Sequence, residues 1–152
     1  MSNLKIFTKT ILVPVVLGGI VGFIISRFMD YNALQKPFLS PPSILFPIMW
    51  TIFYILMGVS YGILTKKQLN DQKVSSIYYL QLGINLIWPI LFFVFKWRLF
   101  SFLWLMLLIV FIIIMIKRFY GKDKVSGLIQ IPYLIWSLFA SYLNIFIYLL
   151  NR

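Results

Sequence analysis

The sequence predicts an all-α integral membrane protein: a five-transmembrane-helix bundle with an ordered Pro-rich loop between the first and second helices. Composition is the first reason. Of 152 residues, 62% are hydrophobic and 11% charged, against about 45–50% and 25% in soluble domains, so a water-soluble fold of this size could not hide its apolar surface. The second is the spacing of the charges, which leaves five uncharged runs at residues 10–26, 39–65, 74–95, 99–116 and 125–151. Each is long enough to cross a bilayer, which takes roughly 17–25 residues with some tolerance for tilt. The runs are continuously apolar and far exceed the roughly 9–11 alternating residues of a membrane strand, so they read as helices. One domain, 1–152, is expected, with helices at about 6–26, 42–65, 74–95, 99–118 and 125–150.

The residues that are missing exclude much chemistry. Without Cys or His there is no thiolate, imidazole base, soft-metal site or usual haem-iron ligand. The three acids, Asp30, Asp71 and Asp123, stand apart between apolar runs, so paired-carboxylate and metal-assisted hydrolysis have no residues to use. The net charge of +11 lies in short clusters between the runs rather than on a basic face, which argues against nucleic acid and for a lipid bilayer as the surroundings.

The first run follows Lys5 and Lys9. It lacks a small-x-small cleavage site and is followed by four more runs, so it is kept as a helix rather than a signal peptide. Pro14 is expected in its first turn, and Gly18 with Gly22 permits close helix approach. The connection from Arg27 to Pro42 holds Pro37, Pro41 and Pro42, which fix φ and hold their predecessors out of helix. With Tyr31, Leu34, Phe38 and Leu39 to lay over the bundle, it reads as a lid. Ser40 is expected to cap the second helix, with Pro41 and Pro42 in its first turn.

The second helix puts Phe46, Trp50, Phe53 or Tyr54, Met57 and Tyr61 on one face, at steps of three and four. Gly58 and Gly62 form a small-xxx-small pair that serves either packing within the bundle or a homodimer. The third helix gathers Gln81, Asn85 and Trp88 on one face, where amides look inward, and Pro89 should kink it. The turn Lys96-Trp97-Arg98 is so short that the third and fourth helices must be antiparallel, and Trp97 suits an interfacial anchor. The fourth helix, nearly all Leu, Ile, Phe and Met, reads as packing or lipid-facing. The fifth places Trp136, Ala140 and Asn144 in one row, a pocket wall or a packing face. Nine Lys and Arg lie on the N-terminal side of the bundle and five on the other. The positive-inside tendency therefore puts the N-terminus in the cytoplasm and the proline loop outside.

Three motifs in order along the chain carry a resemblance. They are Tyr31-x-x-Leu34-x-Lys36-Pro37 with Pro41-Pro42, then Phe46-Pro47-x-x-Trp50-Thr51-x-x-Tyr54-x-x-Met57-Gly58, Gln81-x-x-x-Asn85-x-x-Trp88 with Phe92-Phe93, and Pro132-Tyr133-x-x-Trp136-x-x-Phe139-Ala140-x-x-Leu143-Asn144, taking loop and second helix together. In these the chain resembles the translocator protein, or tryptophan-rich sensory protein (TspO/MBR), family. The resemblance implies a five-helix bundle of a bacterial plasma membrane, with a pocket beneath the first loop for porphyrins such as protoporphyrin IX, or haem. No cofactor is required; the porphyrin is ligand or substrate. Trp50 and Trp136 match the two tryptophans implicated in light-driven porphyrin breakdown by some members, and so stand as the catalytic candidates. Tyr31, Pro41, Tyr54 and Ala140 match pocket positions; Asn85 and Trp88 match a motif on the third helix. The chain departs from the family at Asp30 and Leu39, where loop tryptophans are common, and at Leu105, where many members have Asp.

The residues fit that implication by themselves. A flat apolar macrocycle needs a slot with aromatic faces, a few amides or hydroxyls, and a cation such as Arg27 or Lys36 for its carboxylates. Four readings stay open: a porphyrin-binding receptor or sensor, a photo-oxidative enzyme, a transporter or binding protein for porphyrins, sterols or other lipids, and a purely structural dimer through Gly58 and Gly62, which leaves the loop motif without a purpose.

Overall fold

The computed structural model describes residues 2–152. Among them there is no strand, and five helical spans are long and apolar enough to cross a membrane. The chain is an all-helical integral membrane protein.

Helix α1, Asn3–Ser26, starts where the Ser2 hydroxyl accepts the Lys5 N–H at 3.3 Å. Its start lies earlier than the charge pattern suggests, because two lysines at a helix end cost little when their ammonium groups reach the interface. Pro14 is therefore well inside the helix rather than in its first turn, a correction to the sequence expectation. The loop that follows makes a 3-10 turn at Tyr31–Ala33. Helix α2 is Leu45–Lys66. Here Ser40 does not cap. Both Ser40 and Pro41 precede prolines and are held extended, so the helix begins only after Ser43, and the Ser40 hydroxyl donates to Pro37 O at 2.7 Å. Pro47 takes the first-turn position expected of Pro41 and Pro42, where its missing N–H is no loss.

Helix α3, Gln72–Pro89, is capped by Asp71, which accepts the Val74 N–H at 2.9 Å. At Pro89 the α-helix gives way to a π-helical turn, Ile90–Val94, because proline cannot donate to the preceding turn. Helix α4, Arg98–Lys122, follows the tight turn and runs antiparallel to α3. It buries Leu105, Leu108, Ile112, Met115 and Phe119 in one stripe. The last span is broken rather than continuous: α5, Lys124–Ile129, and α6, Ile131–Asn151, meet at Gln130, two residues before Pro132 of the next helix.

The spans close into a ring. α1 lies against α2, α2 against α5, α5 and α6 against α4, α4 against α3, and α3 returns more loosely to α1. The Ser60 hydroxyl donates to Ser126 O at 2.7 Å and the Ser126 hydroxyl returns the bond to Ser60 O at 3.2 Å, fastening α2 to α5. A Cβ on Gly58 would run into the backbone of Ile11, and one on Gly62 into Phe7 and Thr10. That pair of glycines therefore serves packing inside the bundle, and α1 occupies the face that a dimer would have used.

Ion pairs tie the ends. Lys67–Asp123 at 2.6 Å and Lys122–Asp71 at 2.8 Å join neighbouring turns on the N-terminal side. Hydrogen bonds from these lysines, and then from the backbone N–H groups that each aspartate caps, hold both carboxyls below the usual carboxylate range. On the other side Asp30 meets Arg98. The loop is fixed there by further long-range bonds: Asn151 exchanges two hydrogen bonds with the Gln35 backbone, and the Tyr142 hydroxyl donates to Phe38 O.

Candidate functional site

The loose seam between α1 and α3 leaves a cavity of about 600 Å³ in the loop-side half of the bundle. Residues near the helix ends, Ser26, Met29, Ser43 and Ile44, place its mouth under the loop. Its α1 wall sets Gly18, Gly19 and Gly22 among Val15, Val21, Ile25 and Ser26. A side chain at Gly18 would strike the Tyr54 ring, whereas Gly19 and Gly22 face open space. The middle of this wall is thus open backbone, bordered by the side chains of Val15, Val21 and Ile25. Opposite stand Trp50, Tyr54, Trp88 and Phe93. The Trp50 ring lies 6.3 Å from both the Tyr54 and Trp88 rings, tilted by 29° and 44°, so the far wall is aromatic.

The polar groups of this cavity belong to a chain of hydrogen bonds that leads away from it. Tyr54 donates to Asn85 Oδ1 at 2.7 Å, Asn85 Nδ2 to the Tyr133 hydroxyl at 2.8 Å, and Tyr133 to Gln81 Oε1 at 2.9 Å. Gln81 Nε2 ends the run on Tyr78 O at 2.9 Å. The donors run from α2 to α3 to α6 and then back to α3, so within this chain the Tyr54 oxygen accepts no bond and Asn85 retains one N–H. A parallel set orients Trp88, whose indole N–H donates to Asn144 Oδ1 at 2.9 Å while Asn144 in turn donates to Arg98 O. In a setting without water such satisfied networks fix rotamers and prevent side chains from collapsing into the space.

The sequence candidates divide between two spaces. Trp50, Tyr54, Asn85 and Trp88 line the cavity. Tyr31 and Ala140 line a second, nearly closed void of about 10 Å³. Phe46, Trp88 and Phe93 line both and form the partition. Pro41 lines neither; its carbonyl accepts the Tyr31 hydroxyl at 2.7 Å and so holds Tyr31 down over the small void. Trp136 also lines neither. It packs 6.1 Å from both Phe46 and Phe53, and its indole N–H is buried without a partner among the described residues. Lys36 is engaged within the loop, donating to Tyr31 O and Leu34 O at 3.0 Å and lying over the Tyr31 ring. Arg27, next to the lining residue Ser26, is exposed at the mouth against Phe23.

Sequence reasoning missed the α1 wall. Gly18, Gly19 and Gly22 were legible as small residues, and that spacing suggests helix packing; only the looseness of α1 against α3 turns two of them toward a void. Thr51 and Pro47 were missed for a different reason: they flank the aromatic stripe rather than belonging to it.

Comparison with known proteins agrees with this architecture. The TspO/MBR family model matches residues 10–150. The tryptophan-rich protein TspO of Archaeoglobus fulgidus is 36% identical over 152 residues, covering 98% of this chain and 99% of its own. That of Chlorobaculum tepidum is 35% identical over 158 residues with the same coverage. A tryptophan-rich sensory protein of Cereibacter sphaeroides is 31% identical over 114 residues, 75% of this chain and 72% of its own. With a family match from one end of the bundle to the other and relatives aligned along nearly their full lengths, the chain belongs to the TspO/MBR family.

Proposed function

We propose that this protein is a membrane receptor or sensor that binds a porphyrin, of the protoporphyrin IX type, in the cavity between α1, α2 and α3. The observation that carries the reading is the shape and lining of that cavity: about 600 Å³, with a glycine wall facing Trp50, Tyr54 and Trp88. Ligand sites commonly fall between about 300 and 1,000 Å³ and are mostly apolar with a few placed polar groups. A planar macrocycle can lie against a glycine-rich aliphatic face on one side and aromatic faces on the other. Its carboxylate arms would leave by the mouth, where Arg27 is exposed and α2 begins with the positive end of its dipole. Without His or Cys in the chain, the metal-free ring, or haem held by its periphery, suits the site.

The partition of Phe46 and Phe93 allows a larger site. If an occupant displaces these rings, the small void opens and Tyr31 and Ala140 join the lining, with Trp136 behind Phe46. A sensory role is supported by the similarity to the tryptophan-rich sensory protein of Cereibacter sphaeroides, and the excess of Lys and Arg on the N-terminal side supports a cytoplasmic N-terminus in a plasma membrane.

The test is a titration of detergent-purified protein with protoporphyrin IX in the dark, read by tryptophan fluorescence. Saturable quenching at micromolar ligand, weakened by Trp50→Phe beyond the loss of that one fluorophore, is expected. Quenching that rises linearly without saturation would overturn the reading.

A further inference from the structure

A second recess lies on the loop side of the bundle, away from the cavity. It measures about 510 Å³ and is formed where the α3–α4 turn meets the end of α6, with Lys96, Arg98 and Arg152 among its lining. Arg98 is already committed, its charge offset by the Asp30 carboxylate. Lys96 is half-exposed and only 3.8 Å from Asp30 at best, and Arg152 forms no ion pair among the described residues. The recess therefore holds uncompensated positive charge.

Three further features sharpen this. Lys96 adopts φ 59°, the left-handed region that a non-glycine residue enters at a cost of roughly 1 kcal/mol or more; the tight α3–α4 turn holds the lysine in that conformation at the rim of the recess. Helix α4 begins there with Trp97 as its first flanking residue and no side chain capping it, so the positive end of a 25-residue helix also faces the site. Aromatic rings flank the cations. Trp97 is 56% exposed and stacks on Phe95 at 4.8 Å, with Phe100 edge-on to it at 6.2 Å and Tyr148 in the recess wall. Below them on α4, Leu103, Leu107 and Val110 present an exposed apolar track along the span.

We infer that this recess binds the phosphate of an anionic phospholipid in the leaflet on the loop side. Cations and a helix N-terminus take the phosphodiester, interfacial aromatics sit at the glycerol level, and the acyl chains follow the face of α4. A soluble protein ligand would have no use for the apolar track, and a neutral lipid would have none for Lys96 and Arg152. The recess also borders two of the loop's attachments, Asp30–Arg98 and Gln35–Asn151, so a bound headgroup would sit against those anchors.

The experiment follows the thermal unfolding midpoint of the full-length protein in a neutral detergent. It titrates dihexanoylphosphatidylglycerol, dihexanoylphosphatidylcholine or inorganic phosphate against wild type and the double variant Lys96→Gln, Arg152→Gln. The phosphatidylglycerol should raise the midpoint saturably in wild type, with half-saturation shifted about tenfold or more upward in the variant. The other two should do so weakly or not at all. Dark porphyrin quenching by the variant, with its retained helical circular dichroism, serves as the folding control. An equal response to phosphatidylcholine, an equal response of the variant, or no saturable response would overturn the proposal. Full reproduction by inorganic phosphate would overturn the lipid in favour of a soluble anion.

Discussion

The Asp30 carboxylate accepts hydrogen bonds through both of its oxygens, each at 2.8 Å, from one guanidinium nitrogen of Arg98. The two residues lie 68 positions apart, one in the loop after α1 and the other at the start of α4. Arg98 also lies over the Phe92 ring at 5.1 Å, and its backbone carbonyl takes the Asn144 amide that orients Trp88. The loop and the aromatic wall of the cavity are thus anchored on the same residue.

Asp30→Asn should loosen the lid without unfolding the bundle. Both partners are largely shielded, and removing one member of a partly buried charged pair costs about 1–3 kcal/mol. Trypsin offers a direct reading. Lys36 precedes Pro37 and resists cleavage, so the loop is cut after Arg27. Cleavage there should accelerate several-fold in the variant while the thermal midpoint falls only slightly; an unchanged rate would show that the pair does not hold the loop.

Gly22→Leu should block the cavity at little structural cost. A Cβ at Gly22 meets nothing within 4 Å, so an isobutyl group would occupy the space proposed for the ligand. Gly18→Leu differs, since its first carbon already collides with the Tyr54 ring and overpacking costs about 1–3 kcal/mol. The expected pattern is at least tenfold weaker porphyrin quenching by Gly22→Leu at a wild-type thermal midpoint, and a lowered midpoint for Gly18→Leu. Undiminished porphyrin binding by Gly22→Leu would place the ligand elsewhere.

The same two glycines mark what the sequence could and could not reveal. Helix number, the inward row of Gln81, Asn85 and Trp88, and the aromatic stripe from Phe46 to Tyr61 are set by apolar periodicity, and the structure has them where spacing put them. Spacing along one helix says nothing of how tightly another returns to it. The void between α1 and α3 depends on that return, the isolation of Trp136 on how α6 meets Phe46 and Phe53 of α2, and the diversion of Lys36 on the local path of the loop. The break at Gln130 was hidden for a different reason: Pro132 is also compatible with a first turn, and the sequence alone cannot say that a separate short helix ends three residues before it.

The Tyr54–Asn85 bond should be measurable as a coupling. Hydrogen bonds between membrane helices average about 0.6 kcal/mol, with a maximum of about 1.7, because the unfolded chain also finds partners in lipid. A double-mutant cycle of Tyr54→Phe and Asn85→Ala in detergent should fall in that range. Asn85→Ala alone should cost more than Tyr54→Phe, since it also deprives the Tyr133 hydroxyl of a donor. A coupling near zero would mean that Tyr54 is positioned by Gly18 and Trp50 rather than by its hydroxyl.

Acid should weaken the N-terminal side of the bundle. Asp71 and Asp123 have carboxyls held below their ordinary values, each by a lysine hydrogen bond first. A depressed folded-state value means that the stabilisation is present above the unfolded carboxylate range, near pH 4, and is lost as pH falls through the folded values. The unfolding midpoint should therefore hold from pH 7 to about 5 and fall below about 4. Lys67→Gln should flatten part of that decline; an identical profile would show that Lys67 does not stabilise the charged form of Asp123.

Light should separate the two tryptophans that the family motif pairs. Trp50 faces the cavity, whereas Trp136 is screened from it by Phe46 and Phe53. An excited porphyrin resting on the aromatic wall would reach the Trp50 indole by contact and Trp136 only across those rings. Under illumination with bound protoporphyrin IX, Trp50→Phe should slow loss of the porphyrin absorption band several-fold, and Trp136→Phe should leave it near the wild-type rate. The reverse order would put the ring on the Tyr31 and Ala140 side of the partition, with Phe46 displaced. Equal loss in wild type and both variants would remove any role for either indole and leave binding alone.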